Sequence, residues 1–109
     1  MHELGITQEI VAIVTEHARG ARVKRVVLEI GALTAVLPDA VEFCFDLCME
    51  GTPAEGALLQ IITISGRARC RQCGNEIALD QPWGLCSCGS SDLERLSGDE
   101  LRIKEIEVF

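Results

Sequence analysis

Aromatic side chains are scarce: they make up 4% of the 109 residues, with one tryptophan, three phenylalanines and no tyrosine. A core must therefore be assembled from valine, isoleucine, leucine and alanine. Positive charge is also short, the net charge being -7, which removes the basic footprint that a nucleic-acid backbone or an anionic membrane surface requires. Long apolar runs are missing. The longest candidate, GALLQIITISG, spans about 11 residues where roughly 20 are needed to cross a bilayer. Glu3 and Glu9 interrupt the start where the apolar heart of a secretory leader would lie, so the chain is expected to stay in the cytoplasm. No nucleophile, base and orienting group can be assembled, and no glycine-rich phosphate loop is present, so an enzyme is not expected.

What is present is a chain that is 48% apolar, too hydrophobic for disorder and long enough for one domain with a small annex. Between Leu4 and Ala18, Ile6, Ile10, Val11, Ile13, Val14 and Ala18 recur at helical spacing, and Arg19-Gly20 supplies a basic last turn and a stop. RVVLEIGAL then alternates, with Val26, Leu28 and Ile30 on one face and Arg25, Val27 and Glu29 on the other. Pro38 opens a second helix, PDAVEFCFDLCME, which ends before Gly51-Thr52-Pro53. ALLQIITIS reads as a second strand and ELRIKEIEV as a third, with a change of parity between Leu101/Ile103 and Ile106/Val108. These elements predict an α+β fold, a small three-stranded sheet covered by two helices.

Residues 66–97 have a different composition, poor in aliphatic periodicity and bounded by Ser65-Gly66 and Ser97-Gly98. They are expected to form an insertion in a body made of residues 1–65 and 98–109. About 30 residues bury too little to fold alone, and the segment carries CRQCG (Cys70, Cys73) and CSCG (Cys86, Cys88). Four thiolates satisfy a tetrahedral divalent ion, so a zinc-ribbon-like subdomain with structural Zn(II) is the favoured reading. A redox disulfide pair and an iron site share the same residues. The second pair is one residue shorter than the first and cannot form the same knuckle. Trp83 is expected to shield the metal or pack on the parent body, and Arg67, Arg69 and Arg71 to form a solvated rim or a protein contact. Cys44 and Cys48, one helical turn apart, are read as buried small hydrophobes, and His17 as a dipole-compatible helix end.

The chain opens MHEL. A free amino terminus followed by His2 offers an α-amine, amide nitrogens and an imidazole within one short segment, a tetragonal nitrogen set suited to Ni(II) or Cu(II). On its own this is weak, since chain ends commonly fray. The segments MHELGITQEIV, VLEIGALTAV, FCFDLCMEGTPAEGA, the two cysteine pairs and SGDELRIKEIEV together resemble the HypA/HybF hydrogenase maturation factors along the whole chain. That resemblance implies a nickel metallochaperone working with a HypB-type GTPase to load the [NiFe]-hydrogenase large subunit, and in some organisms serving urease through its accessory proteins. It implies nickel on Met1, His2 and Glu3, and zinc on Cys70, Cys73, Cys86 and Cys88. Two other functions fit the same sequence: a zinc-ribbon interaction module without metal delivery, and a cysteine-based redox protein.

Overall fold

A computed structural model describes the backbone of residues 2–109 and the side chains from Glu3 onward; Met1 and the side chain of His2 lie outside the described residues. The element order is α1 (His2–Ala18), β1 (Val23–Gly31), α2 (Pro38–Met49), β2 (Leu58–Ile64), β3 (Gly66–Cys70), β4 (Glu76–Leu79), β5 (Leu93–Ser97) and β6 (Leu101–Val108). Both helices and the three expected strands are present, in the expected order. One sheet runs β2-β1-β6 and a second runs β4-β3-β5, giving the α+β architecture read from periodicity. The chain forms two compact units, one from residues up to Leu28 with Val36–Ile62 and Arg102–Phe109, the other from Glu29–Ala35 and Thr63–Leu101.

The core of the first unit is aliphatic, as the shortage of aromatics demands. Val14, Val23, Val26, Leu28, Val41 and Phe45 are the most deeply buried of its large side chains. β1 departs from simple alternation, because Val27 is buried together with Val26 and Leu28. β1 is the central strand, paired along both edges; from Val26 onward its residues are buried on both faces, whereas Lys24 is exposed and Arg25 half-buried. α1 ends where Arg19 takes φ 50° and Gly20 φ 86°, with the Ala21 amide returning to the Ala18 carbonyl at 3.0 Å. α2 starts on Pro38, whose missing N–H is no loss at that position. The residue before it, Leu37, has no side chain able to cap. The Leu37 amide instead donates to Glu3 Oε2 at 3.4 Å.

The Gly-Thr-Pro-Ala-Glu-Gly segment after α2 is a turn held by its own side chains. The Thr52 hydroxyl donates to the Met49 carbonyl at 2.7 Å and accepts from the Ala54 amide at 3.1 Å. Glu55 Oε1 accepts from the Gly51 amide at 2.7 Å, and the Pro53 carbonyl accepts from Val23 at 2.9 Å, fixing the start of β1. A segment that carries the family resemblance is thus accounted for by turn chemistry.

In the second unit β3 pairs antiparallel with both neighbours, in the registers Ala68↔Ile77 and Ala68↔Arg95. Its core is small: Leu33, Ala68 and Leu79, with Ile77 and Leu93 packed against them. Leu33 donates through its amide to the Gly98 carbonyl and Gly31 to that of Glu100, both at 2.7 Å. Gly66 and Gly98, at the ends of the cysteine segment, are needed for close packing: a Cβ on either would strike the Leu33 side chain, and one on Gly31 would strike the Gly98 carbonyl. Because that obstacle is backbone rather than a movable side chain, Gly31→Ala is expected to destabilise the protein by about 3 kcal/mol. A denaturant midpoint unchanged by the substitution would contradict the packing described.

Candidate metal centre

Two turns bring the four cysteines of the segment together. In the first, the Cys70 amide donates to the Asn75 carbonyl and Gly74 donates back to Cys70, both at 2.8 Å. In the second, Cys86 donates to Ser90 at 2.9 Å and Gly89 donates back to Cys86 at 2.8 Å. The pattern is the same with one residue fewer, so the shortened pair builds a tighter version of the same turn. Gly74 and Gly89, each directly after the second cysteine of its pair, take φ of 80° and 90°. This is backbone that glycine adopts without strain.

The sulfurs converge. Cys70 Sγ lies 3.7 Å from Cys88 Sγ and Cys73 Sγ 3.4 Å from Cys86 Sγ, and all four fall within 4.8 Å of one another. A tetrahedron with metal–sulfur bonds of about 2.3 Å has edges of about 3.8 Å, so the four residues fit a closed zinc centre. Both of these approaches join one turn to the other, which is what a shared ion requires. Cys70 and Cys86 are buried and Cys73 and Cys88 exposed.

Backbone amides prepare two of the thiols as ligands. The Cys73 amide, opposed by burial and helped by the Gln72 amide, brings the Cys70 thiol down to about 6. The Cys88 amide likewise lowers Cys86, with Cys73 adding to it. Cys73 is drawn down by the Asn75 amide, but the thiols of Cys86, Cys70 and Cys88 outweigh this and push it up to about 12. Cys88 follows the same course, with Ser90 lowering it and Cys70 foremost in raising it. Each close pair therefore sets a thiol whose pKa is lowered against one whose pKa is raised, and the second must give up its proton to bind a metal.

Around the centre, Arg67 and Arg69 pair with Glu76 at 3.8 and 3.7 Å, Arg69 with Glu94 at 3.9 Å and Arg71 with Asp92 at 3.0 Å. The three arginines form the solvated rim expected of them. Trp83 is 70% exposed, too open to shield the centre, because the residues from Gln81 to Leu85 form a surface loop rather than part of the sheet. Cys44 is buried and Cys48 half-buried, and burial foremost, then Cys44, raises the Cys48 thiol, so both behave as small hydrophobes. His17 Nδ1 meets the Ile13 carbonyl at 2.9 Å within its own helix. Cys70, Cys73, Cys86 and Cys88 are the one cluster of at least three metal-ligating side chains among the described residues.

Of the nitrogen set at the start of the chain, Met1 and the His2 imidazole lie outside the described residues. Glu3 is described, and it is pinned. Its carbonyl accepts from the buried Thr7 hydroxyl at 2.6 Å and its carboxylate accepts from Leu37. Its amide belongs to the first turn of α1, where N–H groups have no acceptor within the helix. The carboxylate contact spans 34 positions and has no local sequence signal.

The profile of a family described as "Hydrogenase/urease nickel incorporation, metallochaperone, hypA" matches residues 1–108. Relatives include the hydrogenase maturation factor HypA of Nostoc punctiforme, 64% identical over 99% of this chain and 96% of its own. That of Geotalea uraniireducens is 49% identical over 99% of both chains. The solution structure of the Ni metallochaperone HypA from Helicobacter pylori superposes with a TM-score of 0.69 at 24% identity, over 97% of this chain and 96% of that one. A second, described as the solution structure of HypA protein, gives 0.73 at 26%, over 100% and 97%. No helix among the described residues is long and apolar enough to cross a membrane. The chain belongs to the HypA family of nickel metallochaperones for hydrogenase maturation, and is by that kinship a maturation factor rather than an enzyme.

Proposed function

We propose that the chain carries Ni(II) at its start, on the terminal amine of Met1, the imidazole of His2 and the backbone nitrogen of Glu3, with Zn(II) held by Cys70, Cys73, Cys86 and Cys88. Residues 66–97 form the zinc-bearing insertion, and residues 1–65 with 98–109 the nickel-carrying body. The cargo passes to the [NiFe]-hydrogenase large subunit with the help of a HypB-type GTPase, and in some settings to urease through its accessory proteins, in the cytoplasm.

The supporting observation is the closure of the sulfur cluster. A tetrahedral ion held by four sulfurs leaves no position for cargo, and no second cluster of such side chains exists among the described residues. The nitrogen donors at the start of the chain remain, and they match the tetragonal preference of Ni(II). When bound, zinc ties the two cysteine turns into one rigid piece and supplies no reactive position. The chain's residues do the rest: Gly74 and Gly89 shape the turns, and Glu3 positions the first turn of α1. Nickel held by consecutive groups of one terminal segment can leave one ligand at a time as a recipient's ligands replace them.

The test is a nickel titration of the zinc-loaded protein across pH. An imidazole ordinarily titrates near 6.5 and an α-amine at about 7.7 to 8.0. Both must be deprotonated to bind, so protons compete more strongly as pH falls. Between about pH 7.5 and 6, nickel affinity is expected to drop roughly 50-fold or more. An affinity that stays flat over this range rules this site out.

A further inference from the structure

α2 buries Val41, Cys44, Phe45 and Met49 on its inner side, yet its outer side leaves Phe43 70% and Leu47 55% exposed. These two large apolar side chains stand one helical turn apart and so form a continuous ridge. Leu47 also borders a cavity of about 730 Å³ between α1 and α2, whose apolar lining comes from Leu4, Val11 and Ala12 of α1 and from Leu47 and Cys48 of α2. Cys48 is uncharged there, its thiol raised by burial and by Cys44.

The charge around this ridge has one sign. Asp39, Glu42, Asp46 and Glu50 are exposed along α2 and just beyond it, no basic residue occurs in the helix, and none of the four forms an ion pair among the described residues. Glu16 adds a further exposed carboxylate at the cavity rim. Asp46 and Glu50 lie at the C-terminal end of α2, where the helix dipole disfavours negative charge. Nothing within the described chain compensates them, as a basic partner would.

We propose that the α1/α2 groove, with the Phe43–Leu47 ridge and its acidic border, docks a basic amphipathic helix of a partner protein. The apolar stripe of such a helix enters the groove and its lysines and arginines face Asp39, Glu42, Asp46 and Glu50. α2 has 12 residues, about 18 Å of helix, which matches an occupant of three to four turns. Leu4, two positions after His2, lines the same groove. The occupant therefore lies beside the first turn of α1; its relevance to nickel rests on the function proposed above, whereas the docking surface does not.

The test uses the zinc-loaded full chain without nickel, so that its outcome is independent of the nickel site. A fluorescent helical probe of about 14 residues, roughly four turns, with leucine on one face and lysine on the others, is titrated and followed by anisotropy. Two controls accompany it: the same composition scrambled so that leucines share no face, and the patterned peptide with glutamate for lysine. The patterned basic probe is expected to bind at least about tenfold more tightly than either control. Phe43→Gln with Leu47→Gln is expected to weaken it by at least about tenfold, while Leu58→Gln, at a residue 66% exposed on β2, leaves it unchanged. Equal binding of the scrambled peptide would reduce the effect to bulk charge and overturn the proposal. So would indifference to Phe43 and Leu47, or self-association of the protein abolished by Leu47→Gln, which would make a second copy the occupant.

Discussion

Cys70→Ser will unfold the β4-β3-β5 unit while α1 and α2 persist, and a strong chelator will do the same to the unaltered protein. The reason is the size of the core. The hydrophobic cluster described in residues 29–35 and 63–101 consists of Leu33, Ala68 and Leu79, helped by Ile77 and Leu93. Ordering each residue costs about 1 to 2 kcal/mol in backbone entropy alone, and a cluster of this size does not offset that cost for so many residues. A four-thiolate zinc centre contributes about 10 kcal/mol or more of folding free energy. Serine in place of Cys70 removes the most buried ligand and one that is already poised as thiolate. The readout is amide dispersion in a two-dimensional spectrum: Gly66, Ala68, Leu79 and Gly98 collapse to disordered positions, whereas Val14, Val41 and Phe45 keep theirs. Cys44→Ala, on α2, serves as the control and leaves the metal content unchanged. Full dispersion of the unit after complete zinc removal would show that the sheet holds itself together without a metal.

How much of this was legible in the sequence follows from the range over which each signal acts. The helices were written in local periodicity and stops, and both formed close to the expected bounds. The four cysteines were written in their spacing, and the structure adds how the shortened pair manages: one residue fewer in the turn, closed like the first by a glycine directly after its second cysteine. β4 (Glu76–Leu79) and β5 (Leu93–Ser97) were not legible, since EIAL and LERLS are short and rich in helix-favouring Leu, Glu and Arg. They become strands because Ala68 and its neighbours in β3 supply partners on both sides, a case of tertiary pairing overriding propensity. The exposure of Trp83 has a related origin, because nothing local distinguishes a tryptophan in a core from one on a surface loop. The glycines at the ends of the cysteine segment read only as its bounds, because their packing against Leu33 depends on residues more than 30 positions away. The Glu3–Leu37 contact has the same long-range origin.

The second large effect concerns the first two residues. Adding one residue before Met1 leaves His2, Glu3 and every described contact in place, but moves the α-amine away from the imidazole. Loss of even an outer-shell partner typically costs a metal site 10- to 100-fold, so removal of a direct amine ligand is expected to cost at least about 100-fold in nickel affinity. His2→Ala should match or exceed this. Both variants keep the four-cysteine centre, so zinc content serves as an internal check that folding is intact, and calorimetry at neutral pH reads the nickel event alone. Glu3→Gln separates backbone from side chain: the amide of glutamine still accepts from Leu37, and the backbone nitrogen is unaltered, so nickel binding should change little. If the extended protein takes up nickel as tightly as the native one, the amine is not a ligand, and donors must be sought on His17 and the cysteines. If instead extension and His2→Ala each abolish binding while zinc stays bound, the cargo and structural ions occupy separate donor sets, nitrogen for the one and sulfur for the other. Release of nickel would then require no disturbance of the zinc-held turns.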